Sequence, residues 1–143
     1  ELKPEVMEQR NLHLQAKYRE IEEKEVRFET EHCEDADCLI VAFGSAARIA
    51  EKSVELAREE GIKAGLFRPI TLWPFPSKAL AEMAKGKRHI LVAEINAGQM
   101  IQDVRLAVGN EVPVSHFGRL GGIVPDPTEI VEELKAKLEE NGK

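Results

Sequence analysis

Cysteine is scarce in this chain of 143 residues: only Cys33 and Cys38 occur, both in the polar stretch HCEDADC. Two thiols without a C-x-x-C pair make no disulfide framework, and a disulfide is not expected in a reducing compartment. His32, Cys33, Asp35, Asp37 and Cys38 lie close enough in sequence to suggest a metal site, but Cys38 opens an apolar run. An acidic loop entering a buried thiol is the better reading. Long hydrophobic stretches are also missing. No run approaches the roughly 20 apolar residues of a membrane span, and no signal-peptide pattern follows Glu1, so a soluble cytoplasmic protein without membrane contact is expected. A basic excess is absent as well. The net charge is -6, with 12 acidic and 6 basic side chains in residues 1–37 and 14 of each in residues 38–143. A neutral body with an acidic leading segment argues against nucleic-acid binding, which needs concentrated positive charge to neutralise phosphates.

What is present is a regular alternation of elements. Residues 5–24 read as a helix, with Met7, Leu14, Tyr18 and Ile21 recurring at helical spacing after Pro4. Val26, Phe28 and Thr30 alternate with charged residues, the pattern of an edge strand buried on one side. From Cys38 the strands become continuous apolar runs, as expected where helices cover both faces of a parallel sheet. Strands are predicted at 39–43, 62–68, 89–94 and 112–117. Helices are predicted at 46–60, 77–85, 98–108 and 127–139, with Ser45 as the cap of the first and Pro127 in the first turn of the last. The expectation is a three-layer α/β/α sandwich in one domain, 1–143: a helical extension over 1–25, then an α/β unit over 26–143.

In such a sheet, ligands and partners meet the loops at the carboxyl ends of the strands. Gly44 and Ser45 enter a helix there, a place that favours an anion. GSAARIA, however, has one glycine where a dinucleotide fingerprint needs three, and Arg68 stands where an acidic residue would be expected. Glu94 ends a strand without a partner spaced for acid-base work, so it is expected to accept hydrogen bonds from loop amides or to pair with Arg119. Asn96 and Gln99 suit loop ordering or partner contact. Arg119, between Gly118 and the pair Gly121 and Gly122, either binds an anion or neighbouring subunit or locks its own loop. Trp73 and Phe75 sit in a proline-rich connection suited to anchoring a partner. The four histidines, His13, His32, His89 and His116, are scattered, and no catalytic constellation is visible.

The motifs KYREIEEKEVRFE (17–29), IVAFGSAARIA (40–50), GLFRPITLWPFP (65–76), VAEINAGQMIQDVR (92–105) and GRLGG (118–122) occur in order across nearly the whole chain. In that order the chain resembles the carboxyl-terminal part of the α subunit of 2-oxoacid:ferredoxin oxidoreductases, of the 2-oxoglutarate or 2-oxoisovalerate type. The resemblance implies a fold like the carboxyl-terminal domain of transketolase, with a five-stranded sheet whose first strand is antiparallel. It also implies an enzyme complex that converts a 2-oxoacid and CoA to acyl-CoA and CO2 while reducing ferredoxin, using thiamine diphosphate, Mg2+ and an iron-sulfur cluster. The diphosphate, metal and cluster motifs of that family have no counterpart in this sequence. The chain is therefore expected to bind none of these cofactors, to be inactive by itself, and to be a piece of a larger enzyme.

Its expected partners are the remaining α-subunit domain and the β subunit, with ferredoxin met indirectly, and self-association through an exposed interface is also expected. Gly44, Ser45, Arg48, Arg68, Pro69, Trp73, Phe75, Glu94, Asn96, Gln99, Arg119, Gly121 and Gly122 become interface or cleft-edge residues, none of them catalytic. Two other readings remain open. One is an independent module binding CoA or another anion at the Gly44 and Arg119 loops. The other is the equivalent domain of transketolase or a 2-oxoacid dehydrogenase, from which the GQM and GRLGG loops point away.

Overall fold

Apolar runs that need cover on both faces set the middle of the molecule. The computed structural model describes residues 3–142. Strands β2 (Cys38–Ala42) and β4 (His89–Glu94) are buried along their full length. They lie side by side at the centre of a five-stranded sheet. With β1 (Phe28–Glu31), β3 (Ala64–Pro69) and β5 (Val114–Gly118) the order is β1-β3-β2-β4-β5, parallel except for β1, which runs antiparallel to β3. The antiparallel first strand and the three layers are those expected from the sequence.

Alternate residues of the central strands face opposite layers. Ile40, Ala42, Leu91 and Ala93 pack with Ala50, Val54, Ile130 and Leu134 of helices α2 (Gly44–Glu59) and α5 (Pro127–Asn141). Leu39, Val41, Ile90 and Val92 pack with Leu80, Met100 and Val104 of helices α3 (Ser77–Ala84) and α4 (Met100–Val108). The first helix, α1 (Pro4–Lys24), contributes no buried residue to either layer.

Most element ends differ from the sequence expectation by one or two residues, β5 for example starting at Val114 rather than Val112, and three starts have a clear physical cause. β1 starts at Phe28 rather than Val26, and its alternation does not make a buried face: Phe28 remains 39% exposed, although its ring stacks on Phe67 at 5.2 Å. Having only β3 beside it, an edge strand gains less cover than the pattern suggests. Ser45 is not the cap of α2. The helix starts at Gly44, with Phe43 in the capping position and no side-chain cap bond. Gly44 has φ +56°, a left-handed conformation that costs a glycine little, and this lets the chain turn from β2 straight into α2. α4 starts at Met100 rather than Gly98, for a reason that lies in the site itself.

α5 is capped by Asp126, which accepts from the Thr128 amide, while Glu129 reaches back to the Asp126 amide at 2.9 Å. Pro127 follows in the first turn, where its missing donor is harmless. The carboxyl ends of β2, β3, β4 and β5 thus share one edge. Strand order reverses between β2 and β4, the position where open α/β sheets form a crevice.

Candidate functional site at the carboxyl edge of the sheet

Glu94, the last residue of β4, is completely buried. Its carboxylate points at the start of α4, where it accepts the Met100 amide at 2.8 Å and the Gln99 and Ile101 amides at 3.2 Å. A fourth donor, the Asn96 side-chain amide, lies at 3.2 Å, and the Asn96 side-chain oxygen Oδ1 in turn accepts the Gly98 amide at 2.7 Å. A helix start offers unpaired N–H groups and positive potential. Here an internal carboxylate takes up both. This fixes the first turn of α4 at Met100 and leaves the Asn96–Gln99 loop outside the helix.

His116 completes this cluster. It pairs with Val92 across β4 and β5, and its Nε2 is buried without a hydrogen-bond partner, 3.6 Å from a Glu94 oxygen. Gly118, opposite Glu94, must lack a side chain: a Cβ there would overlap the Asn96 carbonyl oxygen and the His116 ring. Sequence spacing alone leaves His116 isolated. The signal was its place two residues before Gly118 on a strand paired with the one ending in Glu94.

Arg119 does not pair with Glu94. Its backbone amide donates to the Glu94 carbonyl at 3.3 Å, and its guanidinium donates to Glu129 at 3.0 Å, so it ties the loop after β5 to the capping box of α5. Of the two roles open for Arg119, loop locking has a partner here. Gly121 and Gly122 follow in an exposed turn. Gly44, Ser45 and Arg48 are exposed on the first turn of α2. Arg68 donates to Glu29 at 3.0 Å, linking β3 to β1. It lies away from the Glu94 cluster, and its Nε is buried without a hydrogen-bond partner.

Beyond β3, Pro69 to Pro76 leads into α3. Trp73 is 56% exposed and meets Tyr18 of α1 edge-on at 5.7 Å, while Phe75 is half-buried against the α3–α4 layer. Between them and the end of α1 runs a groove of about 640 Å³, also lined by Arg19, Glu22, Val26 and Lys78. The aromatic loop is therefore a wall shared with α1, separate from the Glu94 cluster.

At the amino edge of the sheet, buried His89 bridges Ser115 at 2.7 Å and Asn141 at 2.9 Å. This joins β4, β5 and the end of α5, and the burial lowers the His89 pKa. No sequence spacing announced it. Cys33 and Cys38 are both buried free thiols, and burial raises both pKa values, that of Cys38 to about 11. A thiolate ligand is disfavoured at both. No helix among the described residues is long and apolar enough to cross a membrane, and no cluster of three or more metal-ligating side chains occurs among them.

With this geometry in view, comparison with known proteins is specific. Residues 36–130 match the family described as pyruvate:ferredoxin oxidoreductase core domain II. Ketoisovalerate oxidoreductase subunit VorB of Methanothermobacter thermautotrophicus is 42% identical over 129 residues, covering 90% of this chain and 36% of VorB. Among solved structures, a chain of the 2-oxoglutarate:ferredoxin oxidoreductase from Magnetococcus marinus superposes with a TM-score of 0.82 at 23% identity, covering 96% of this chain and 24% of that one. A split-gene transketolase, described as an inactive beta4 tetramer, gives 0.67 at 20% identity over 79% of this chain and 41% of that one. These two structures share the fold. The chain spans about a third of the length of the curated relative.

Proposed function

The chain belongs to the pyruvate:ferredoxin oxidoreductase core domain II family, and from that premise we propose that it is the assembly and cleft-supporting domain of a 2-oxoacid:ferredoxin oxidoreductase. The reaction of such a complex joins a 2-oxoacid to CoA, releases CO2 and passes two electrons to ferredoxin. In this reading the domain makes none of those bonds. It presents the loops at the carboxyl edge, and the Trp73 and Phe75 wall, to the remaining α-subunit domain and the β subunit, in the cytoplasm. Self-association of the isolated chain would use the same wall.

The observation that carries the reading is the state of Glu94. At the crevice position of the sheet the buried Glu94 carboxylate is spent on four N–H donors, so the start of α4 is filled by the protein itself, while the start of α2 at Gly44 has no side-chain cap. The donor set also fails to fit the cofactors of the complex. An iron-sulfur cluster takes four thiolates, and the chain has two buried thiols with raised pKa values. A magnesium diphosphate needs free oxygen ligands, and Glu94 has none to spare. Thiamine diphosphate, Mg2+ and the cluster are accordingly assigned to other parts of the assembly, and no chemical step is routed through this chain.

Within the family, the likeness to the ketoisovalerate oxidoreductase subunit favours a branched-chain 2-oxoacid as the substrate of the whole complex. Reconstitution tests the proposal. The chain mixed with the remaining subunits should co-sediment and restore 2-oxoacid-dependent ferredoxin reduction, and should show neither activity nor CoA binding alone. Tight CoA binding by the isolated chain, with no association, would instead favour the independent anion-binding module.

A further inference from the structure

α1 is 21 residues long, about 31 Å at 1.5 Å per residue. None of those residues is buried. Its last turns meet the body, where Tyr18 contacts Trp73 and where Arg19, Glu22 and Glu23 line the groove. The portion before Tyr18 carries Met7 and Leu14 on the same helical stripe as Tyr18 and Ile21, and it packs against neither layer of the core. On that stripe Leu14 is 38% exposed and Tyr18 40%. A helical stretch of roughly 12–15 residues or fewer is marginal in water without an apolar face packed on something, and the portion of α1 before Tyr18 is of that length; among the described residues the ion pair within α1 is Lys24–Glu20, in its last turn.

This projection belongs to the fold. The superposition on the oxidoreductase chain covers 96% of the residues, leaving about six unmatched, far fewer than the 21 of α1. Most of α1 therefore has a counterpart in a polypeptide about four times as long, of which this chain matches 24%. The stripe also continues directly into Trp73, the residue already read as an assembly contact.

We infer that the Met7–Leu14–Tyr18 stripe of α1, joined to Trp73, is the docking surface for an apolar face of the longer polypeptide outside the matched quarter. The inference rests on the assembly reading and names the element that makes the contact. The Tyr18–Trp73 pair is the joint: it holds the helix at the angle at which the stripe and the aromatic wall form one surface. A second copy of this chain is the competing occupant, and sedimentation separates the two.

Hydrogen exchange provides the test, with the remainder of the longer polypeptide of the same organism, co-expressed, as the probe. In the chain alone, diluted until it sediments as a monomer, amides of Glu5–Lys17 should exchange freely, and in the complex they should slow by about 100-fold or more. Leu14→Glu, which keeps helix propensity at an exposed position, should weaken association by about tenfold or more while leaving exchange in β2 and β4 unchanged. Two outcomes overturn the inference alone: a complex in which α1 still exchanges freely, or slow exchange in an isolated chain that sediments as a dimer, which would make the second copy the occupant. If the wild-type chain forms no complex, the assembly reading fails and this inference falls with it.

Discussion

The carboxylate of Glu94 accepts the Met100 amide at 2.8 Å from a position with no solvent exposure. A buried charge is tolerated only where hydrogen bonds replace its water, and here they come from the start of α4 and from Asn96. Replacing Glu94 by Gln removes the charge and turns an N–H2 group toward those donors. Glu94→Gln should cost about 2–4 kcal/mol in urea unfolding, and exchange at Gln99, Met100 and Ile101 should quicken. An unchanged midpoint would show that the carboxylate is dispensable.

Two glycines separate steric from conformational need. At Gly118 a Cβ would overlap backbone and ring atoms that cannot easily move, so Gly118→Ala should destabilise by about 2 kcal/mol or more. At Gly44 a Cβ meets nothing within 4 Å. The cost of Gly44→Ala is then that of a positive φ alone, about 1 kcal/mol. Equal losses in denaturant titrations of the two variants would contradict this.

The buried His89 makes stability depend on pH. Burial is the main cause that holds its pKa below the ordinary value, with Lys137 adding to the shift and Glu140 opposing it. The unfolded chain therefore takes up a proton before the folded one does. The contribution is fully present above the ordinary histidine pKa of about 6.5 and is lost as pH falls through the lower folded value. Unfolding midpoints should drop between about pH 7 and pH 5, and His89→Gln should flatten that part of the curve. A wild-type curve that is flat there, or that rises on acidification, would contradict the assignment.

Thiol chemistry gives a third check on packing. With Cys38 raised to about 11 and Cys33 raised as well, both by burial, neither offers much thiolate near neutral pH. An aromatic disulfide reagent at pH 8 should titrate essentially no thiol in the native chain and both in denaturant. Rapid native reaction of either cysteine would show that the loop from His32 to Asp37 opens.

Some of this could be read from the residues and some could not. The unbroken apolar runs Leu39–Ala42 and Ile90–Ala93 announced central parallel strands because burial on both faces leaves no room for alternation. The inward face of α5, with Ile130, Val131, Leu134 and Leu138, followed from helical spacing. The competition between Glu94, the loop amides and Arg119 could not be resolved in sequence. It depends on Glu129, ten residues beyond Arg119, which draws the guanidinium away and leaves Glu94 to the start of α4. Likewise, His116 and the Ser115–His89–Asn141 bridge arise from strand register and from where α5 ends, which local spacing does not encode. The start of α2 differs from the expected one because Ser45 is a good capping residue, whereas the positive φ of Gly44 closes the turn one residue sooner.

The central claim is that this chain assembles rather than catalyses, and Trp73, 56% exposed, is the aromatic residue of the wall proposed to make the contact. The most direct measurement is the affinity of the chain for the co-expressed remainder of the oxidoreductase, compared between wild type and Trp73→Ala, with CoA calorimetry on the chain alone. The account predicts a stable wild-type complex, a loss of about tenfold or more in affinity for Trp73→Ala, and no heat from CoA. Micromolar CoA binding by the isolated chain, with no complex formed by the wild type, would contradict it.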